Sequence, residues 1–495
     1  MPTIGLELCD AGFLTAAHDQ SETKLFAVAD RQGATDWPGF AYHEGNTFSF
    51  GRAAEDMWLV HPRRVAHTFW SQLAHDSVST LSLTGRSPSF SELSFFYLRE
   101  FHQRLVAATG APEKLVLAVP GSYLKDAATE EEKIGLLLGM ATELKLPLAG
   151  IVDMACAALC DPRAPGFNPS RPIIVVDVHL EGTDLTLLSA DERLERQQFT
   201  HLPHSGQAHL LKHLTATMGN RFLRHTAFDI LEDGRVEQMF FRQTKDFLLS
   251  GADEHRYQIN TTSRSYELLA KHEQLTHDAQ TFVTTLVHGV QTFVDHAAQA
   301  PALCTVALTA RSWAVPGLEA KLRAVGFARQ IRLPLGAAAA GAARIGANRL
   351  TVPADLADVP VELGVPLSDT RRVAAAAWEV RLAKSSRRSD PRPVPTHAIL
   401  DGVGHSLGHT ARFTVGAANA RTDLALPEPF SSDDCVIPLV RDAGQLWFID
   451  PTAARHGEIP PRASVDSGDR LVLKSGNSTA EVLFAHCPAP ERPPA

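Results

Sequence analysis

The chain has 495 residues, a formal net charge of −9 and 44% hydrophobic residues, an ordinary globular composition with room for roughly two to four domains. The mild acidity argues against a general nucleic-acid binder, whose contact face is usually basic, and no apolar run approaches the roughly 20 residues that cross a bilayer. The opening "MPTIGLELCD" has neither a basic stretch nor a long apolar core, so no signal peptide, no membrane partner and a cytoplasmic address are expected.

The first element is a hairpin. "TIGLELCDAGFLTAAHD" reads as strand, acidic residue, turn, strand. After a long mixed region comes an isolated strand ending near a proline, "KLVLAVPGSYL", and then a small-residue helix, "DMACAALC". The pattern then recurs as "IIVVDVHLEGTDLTLLSAD", "CTVALTARSWAVPGL" and "GAAAAGAARIG". Two similar α/β halves, each opened by a hairpin, predict a duplication with a cleft between the halves. Small residues on the closing helices would let the halves pack closely.

Within the second half, "SGQAHLLKHLTATMG" and "AQTFVTTLVHGVQTFVDHAAQ" carry apolar residues at three- and four-residue spacing, which predicts a mainly helical lobe from about 205 to 300. The stretch 350–395 contains "RLAKSSRRSDPRPVPT", basic and rich in serine and proline, and reads as a linker. From 396 to 488 short strands alternate with Gly, Asp and Pro turns, the pattern of a β-sandwich. The end, "PAPERPPA", reads as a disordered tail over 489–495.

Six cysteines in a chain this long do not make a disulfide framework. Cys156 and Cys160 share a helical face without any CxxC pair, so buried reduced thiols are expected rather than zinc. The densest histidine cluster is "HLPHSGQAHLLKH". His209 and His213 could face one way, as metal ligands do, but no HExxH and no carboxylate accompanies them, which favours a polar helix start.

Five segments in this order carry a resemblance to the ATPase domain of the seventy-kilodalton heat-shock chaperones, within the actin-like superfamily. "IGLELCDAGFLTA" resembles that family's opening hairpin, and "FGRAAEDMWLVHPRRVAHTFWSQL" its G-x-x-A stretch. The segment from "LVLAVPGSYL" to "DMACAAL" resembles T-V-P-A-Y-F to N-E-P-T-A-A-A. "VVDVHLEGTDLTLL" resembles D-L-G-G-G-T-x-D, and "LPLGAAAAGAA" resembles E-P-D-E-A-V-A-x-G-A-A. The resemblance covers residues 1–349. It implies a duplicated, two-lobed actin-like (ribonuclease H-like) ATPase fold, chaperone activity, and ATP or ADP with magnesium as cofactor. It further implies Glu7, Asp177 and Asp184 as the catalytic and magnesium-holding acids. Asp10, Gly12, Gly182, Gly206, Thr309 and Ala310 would surround the nucleotide.

The departures concern phosphate chemistry. Backbone N–H groups cradle phosphates only where glycine lets the chain approach. The triple glycine of the second hairpin is replaced by His179, Leu180 and Glu181. Asp10 and Glu181 add negative charge where phosphate would sit. Trp70 stands at the family's phosphate-side lysine, as a core residue or a plug of the cleft, and Met154 at its N-E-P-T glutamate. Thr309 and Ala310 replace the double glycine of the adenosine strand. Weak or absent ATP hydrolysis is therefore expected, in a chaperone-like pseudoenzyme acting through other proteins. The alternatives are an active magnesium-dependent ATPase with diverged loops and a sugar- or acetate-kinase-type transferase on the same superfold.

The last region resembles a forkhead-associated domain, through Val415-Gly416, Asp423-Leu424, Ser431, Asp450, Gly457 and Gly468-Asp469. The arginine that grips phosphothreonine in that family is Ala417 here, its histidine is Asp434, and its asparagine is His456. Arg421 is a candidate substitute. A phosphothreonine peptide is not an expected partner.

Overall fold

A computed structural model describes residues 2–19, 22–28, 35–45, 47–77, 79, 87–169, 171–190, 193–262, 264–297, 299, 301–327, 329–367, 370, 378–385, 392–408, 412–416, 423–427, 430, 436–449, 462–475 and 478–487. Mixed α/β structure is followed by a β-rich region.

The opening hairpin founds the first sheet. Strand β1 (Thr3–Cys9) is buried at every position, as befits a strand covered on both faces. It pairs antiparallel with β2 (Gly12–Asp19), which pairs with β3 (Glu22–Phe26) and the short β4 (Asp36–Trp37). A separate three-stranded sheet holds β5 (Ala41–Glu44), β6 (Thr47–Phe50) and β7 (Val65–Ala66), with helix α1 (Arg52–Glu55) after β6. Helix α2 (Phe90–Thr109) begins at a reciprocal cap: the Ser89 hydroxyl accepts from the Glu92 N–H, and the Glu92 carboxylate accepts from the Ser89 N–H. It stops at Gly110, where φ is 77°. Strand β8 (Leu115–Val119) joins β1 in parallel, and β9 (Leu148–Asp153) joins β8 after α3 (Ala127–Glu143). Helix α4 (Met154–Leu159) closes this lobe.

The second sheet opens with β10 (Ile173–Val178), β11 (Gly182–Ala190) and β12 (Arg193–Pro203), all antiparallel neighbours. Helices α5 (Gln207–Thr226) and α6 (Gly234–Ser250) follow, then the hairpin β13 (Glu254–Asn260) and β14 (Ser265–Lys271), then α7 (His272–Asp278) and α8 (Gln280–His296). Strand β15 (Thr305–Leu308) runs parallel to β10. After α9 (Ala310–Trp313) and α10 (Leu318–Val325), β16 (Arg329–Arg332) runs parallel to β15, and α11 (Ala337–Arg349) ends the lobe. The orders β3-β2-β1-β8-β9 and β12-β11-β10-β15-β16 correspond strand for strand and sense for sense.

The small-residue helices close the space between the sheets. A Cβ added at Gly341 of α11 would lie 1.7 Å from the Ala157 carbonyl oxygen of α4, and one at Gly5 of β1 would lie 2.0 Å from that of Ala339. Cys9, Cys156, Val175, Ala338 and Ile345 belong to the apolar core that both sheets share. Cys9, Cys156, Cys160 and Cys304 are buried, and among the described residues none of them is in a disulfide.

The stretch 350–395 differs from a plain linker. β17 (Val361–Glu362) pairs with β9 of the first sheet and β18 (Gly364–Pro366) with β12 of the second, so this segment ties the two sheets together. β19 (Trp378–Ala383) already belongs to the sandwich. Beyond it, Lys384 and Arg392 hold the fully buried Asp469 at 2.7 and 3.2 Å. Residues 386–391 lie outside the described residues.

The sandwich packs two five-stranded sheets. One joins β19 to β20 (His397–Leu400), β21 (Val403–Ser406), β27 (Arg470–Ser475) and β28 (Ser478–Ala485). The other contains β22 (Arg412–Gly416), β23 (Leu424–Ala425), β24 (Val436–Asp442), β25 (Gln445–Ile449) and β26 (Arg462–Val465). Val415, Leu439, Leu471 and Phe484 fill its core. Arg412 Nη1 donates to the Val325 carbonyl at 3.2 Å, joining the sandwich to the second lobe. Ala417, Arg421, Ser431, Asp434, Asp450, His456, Gly457 and the tail 489–495 lie outside the described residues. No helix among the described residues is long and apolar enough to cross a membrane.

Candidate functional site

The two hairpins bring their acids together. Asp177 at the end of β10 stands directly opposite Asp184 on β11, an arrangement in which like charges repel. Glu7 of β1 faces them from the first lobe. Glu7, Asp177 and Asp184 line one cavity of about 30 Å³, with Met154, Thr309, Ala310 and Arg311 in the same wall.

Cations of the protein itself occupy this constellation. Arg311, the second residue of α9, places Nη2 2.7 Å from Glu7 Oε1 and 3.2 Å from Asp177 Oδ1. It thereby bridges the lobes. Thr309 Oγ1 donates to Asp177 Oδ1 at 2.8 Å. His179, in the turn between β10 and β11, places Nε2 3.2 Å from Asp184 Oδ2 and 3.6 Å from Asp177 Oδ2. His201 of β12 holds the other Asp184 oxygen through Nδ1 at 2.7 Å.

The electrostatics follow from this mutual burial. Desolvation alone would lower the His179 pKa, but Asp177 and Asp184 outweigh it and hold the imidazole well above its usual value. Burial would likewise raise Asp184, yet His179 and His201 bring it down to about 2. Asp177 is also lowered, with Arg311 and His179 overcoming its desolvation. The charges are a coupled set, each stabilised by its neighbours rather than by water.

The other residues expected at a nucleotide divide. Gly12, at φ 126°, has no room for a Cβ, which would lie 2.4 Å from the Trp37 carbonyl oxygen. Gly206 lies against the hairpin turn, where a Cβ would meet the Leu180 carbonyl oxygen at 2.3 Å. The close approach lets the first N–H groups of α5 be consumed internally: Gln207 and Ala208 donate to the carbonyls of His179 and Leu180, both at 2.8 Å. These are the donors a helix N-terminus offers to an anion. Gly182 packs beneath the His201 ring.

Asp10 and Glu181, expected to burden a phosphate site, point elsewhere. Asp10 turns into the first lobe and accepts from the backbone N–H groups of Trp70 and Ser71 at 2.9 and 3.1 Å. Burial still raises its pKa to about 6 despite these bonds. Glu181 lies between His67 of the first lobe and His209 of α5, 3.2 Å from each. Trp70 is wholly buried in an aromatic core with Phe13 and Tyr97, so of its two expected roles the packing one is realised. His213 bonds the Asp278 carbonyl at 3.1 Å, whereas His209 faces Glu181. Among the described residues no group of three or more His, Cys, Asp and Glu side chains is spaced to hold a metal ion.

A charge buried at a cost gives a direct prediction. The folded pKa of Asp10 lies above its ordinary 3.8, at about 6. Stability is therefore lost as pH rises from 3.8 to about 6 and stays lost above it. Asp10→Asn keeps an oxygen for Trp70 and Ser71 and removes the charge. It should stabilise the protein by about 3 kcal/mol at pH 8, at about 1.4 kcal/mol per unit, and hardly at all at pH 3.5. Urea midpoints at the two pH values measure this. Equal shifts at both would show that Asp10 is not a burdened charge.

Further contacts link the segments that carry the two sheets. Arg196 of β12, half-buried, donates to Asp153 Oδ2 at 3.0 Å and to the Gly121 and Leu124 carbonyls of the first lobe. Lys245 pairs with Glu55 and Arg242 with Asp56. Gln238 accepts from the Leu59 N–H at 2.9 Å and donates to the Glu55 carbonyl at 3.0 Å. Beside Arg311 a larger pocket of about 390 Å³ remains, lined by Arg52, Lys245, Leu249, Trp313 and Leu335 among others.

Arg196, Arg311 and the cationic role of His179 were not singled out in the sequence. The available signal for Arg311 was its place two residues beyond the expected strand end at Thr309. No protein-family model matches the chain, and no curated protein matches it.

Proposed function

We propose that this chain is an actin-like, two-lobed protein of the heat-shock-70 type whose nucleotide chemistry has been replaced by internal ion pairing. It acts as a chaperone-like scaffold for other proteins and not through ATP turnover. The matching strand orders support the architecture. The observation that carries the loss of chemistry is Arg311 seated between Glu7 and Asp177, beside a cavity of about 30 Å³. The acids that magnesium would require are committed to Arg311, Thr309, His179 and His201, so this donor set as arranged does not fit the ion.

Purified protein should hydrolyse no ATP in magnesium above an Asp177→Ala, Asp184→Ala control, and should gain at most a small rise in Tm at millimolar nucleotide. Turnover abolished by that double substitution would establish the active ATPase instead. The pocket of about 390 Å³ beside Arg311 favours a second reading: binding of a nucleoside-sized molecule without turnover, which is within the range of ligand sites. A Tm rise with ADP that is lost in Trp313→Ala would favour this reading over the ligand-free scaffold.

A further inference from the structure

The pocket of about 390 Å³ beside Arg311 combines exposed apolar walls with an unpaired acid. Its lining includes Leu249 of α6, Trp313 of α9 and Leu335 of the turn before α11. These residues come from three separate elements and are 46%, 37% and 43% exposed. Large apolar side chains that converge on one pocket while facing water mark a binding surface.

The charged groups decide what kind of molecule suits that surface. Arg52, Lys245 and Arg311 line the pocket, and each is already engaged. Arg52 donates to Glu55 Oε2 at 2.6 Å and to both Asp36 oxygens at 3.2 Å. Lys245 holds the other Glu55 oxygen, and Arg311 holds Glu7 and Asp177. Asp246, the residue after Lys245 on α6, also lines the pocket. It is exposed and has no hydrogen-bond or ion-pair partner among the described residues. The Arg52 guanidinium responds to the resulting field. Burial would lower its pKa, yet Glu55, Asp36, Asp56 and Asp246 together hold it above its ordinary value. Arg242 pairs with Asp56, and the carboxylates along this wall still outnumber the cations.

An anion entering here would meet Asp246 while every lining cation is committed elsewhere. A positively charged molecule would find an unpaired carboxylate at the edge of apolar surface. Amphipathic cations use this arrangement, with the apolar body on the wall and the charge at the wet rim. We propose that the pocket binds a small organic cation, its apolar or aromatic body against Leu249, Trp313 and Leu335 and its amidinium, guanidinium or ammonium group on Asp246. The volume suits a free small molecule. This assignment rests on the pocket being a ligand site, the second reading above, and adds the charge of its ligand.

Three probes with the same planar body and different charge test it: benzamidine, benzamide and benzoate, each titrated into the full chain and followed by NMR, with adenosine as a fourth. Benzamidine should bind saturably, about fivefold tighter than benzamide, the contribution of an exposed ion pair, and benzoate should be the weakest. Asp246→Asn, a conservative change at an exposed position, should bring benzamidine and benzamide together. Asp246→Lys should reverse the order in favour of benzoate. Trp313→Ala should weaken all three alike, and Leu249→Ala takes its place if that variant does not fold. Benzamidine that fails to saturate, equal affinities for the three probes, or a cation preference unchanged in Asp246→Asn would each overturn the proposal. Adenosine binding that is lost in Trp313→Ala, without any preference for benzamidine, would keep the pocket as a ligand site and remove the cation assignment. No binding of adenosine or of any of the three would remove both.

Discussion

Arg311→Ala should lower the unfolding free energy by about 3–5 kcal/mol, the usual cost of leaving a buried charge unpaired. That is a large share of the roughly 5–15 kcal/mol that holds a domain together. The side chains of Arg311, Glu7 and Asp177 are 12%, 4% and 8% exposed, so water cannot replace the guanidinium. Glu7 and Asp177 belong to different lobes, and the loss should therefore open the cleft as well as destabilise each sheet. The sharper half of the prediction is its reversal. Adding Glu7→Gln and Asp177→Asn removes the charges Arg311 was neutralising and should recover most of the loss, since buried ion pairs contribute little net stability over neutral groups. Urea unfolding read by tryptophan fluorescence measures both. A single-variant loss under about 1 kcal/mol, or a triple variant no better than the single, would show that Arg311 does not hold the acids together.

Much of this scaffold was legible because it rests on local patterns. Each hairpin shows its acid and turn in sequence, and small residues in α4 and α11 announced a close contact that Gly341 and Ala157 make. The region from about 205 to 300 is helical where its apolar spacing was three and four, yet the β13–β14 hairpin lies inside it. Tyr257 and Ile259 are buried there between exposed neighbours, a period-two stretch too short to stand out beside long helices. The charge pairing was not legible. Arg311 meets Asp177 across 134 residues, a contact made only when β15 joins β10 in parallel. Position 179 drew notice as a missing glycine, and burial between two carboxylates is what turns that loss into a cation. Asp10 and Glu181 were read as obstacles to phosphate because sequence gives position along the chain but not side-chain direction. One turns to the Trp70 and Ser71 N–H groups, the other to His67 and His209. The linker composition of 350–395 likewise concealed β17 and β18, whose two- and three-residue lengths are below what pattern detects.

The second large effect is a pH dependence assignable to one side chain. The His179 imidazole is held well above its ordinary 6.5 by Asp177 and Asp184, against the opposing effect of its burial. Below 6.5 it is protonated in both folded and unfolded chains, and its contribution to stability is fully present. Above 6.5 the unfolded chain releases the proton while the folded one keeps it, so stability falls by about 1.4 kcal/mol per pH unit until the folded pKa is reached. The acids act on the other side. Asp184, lowered to about 2, contributes above its ordinary 3.8 and loses that contribution as pH falls toward 2. Asp10, raised to about 6, imposes its own slope below that value, so the Asp10→Asn background isolates the histidine. In that background, unfolding free energies between pH 6.5 and 9 should decline with His179 present. With His179→Gln they should be lower at pH 6.5, by about 3 kcal/mol, and decline less steeply by about 1.4 kcal/mol per unit. The two curves must therefore converge as pH rises. Parallel curves would mean that His179 is neutral in the folded chain, and that Asp177 and Asp184 rely on Arg311, Thr309 and His201 alone.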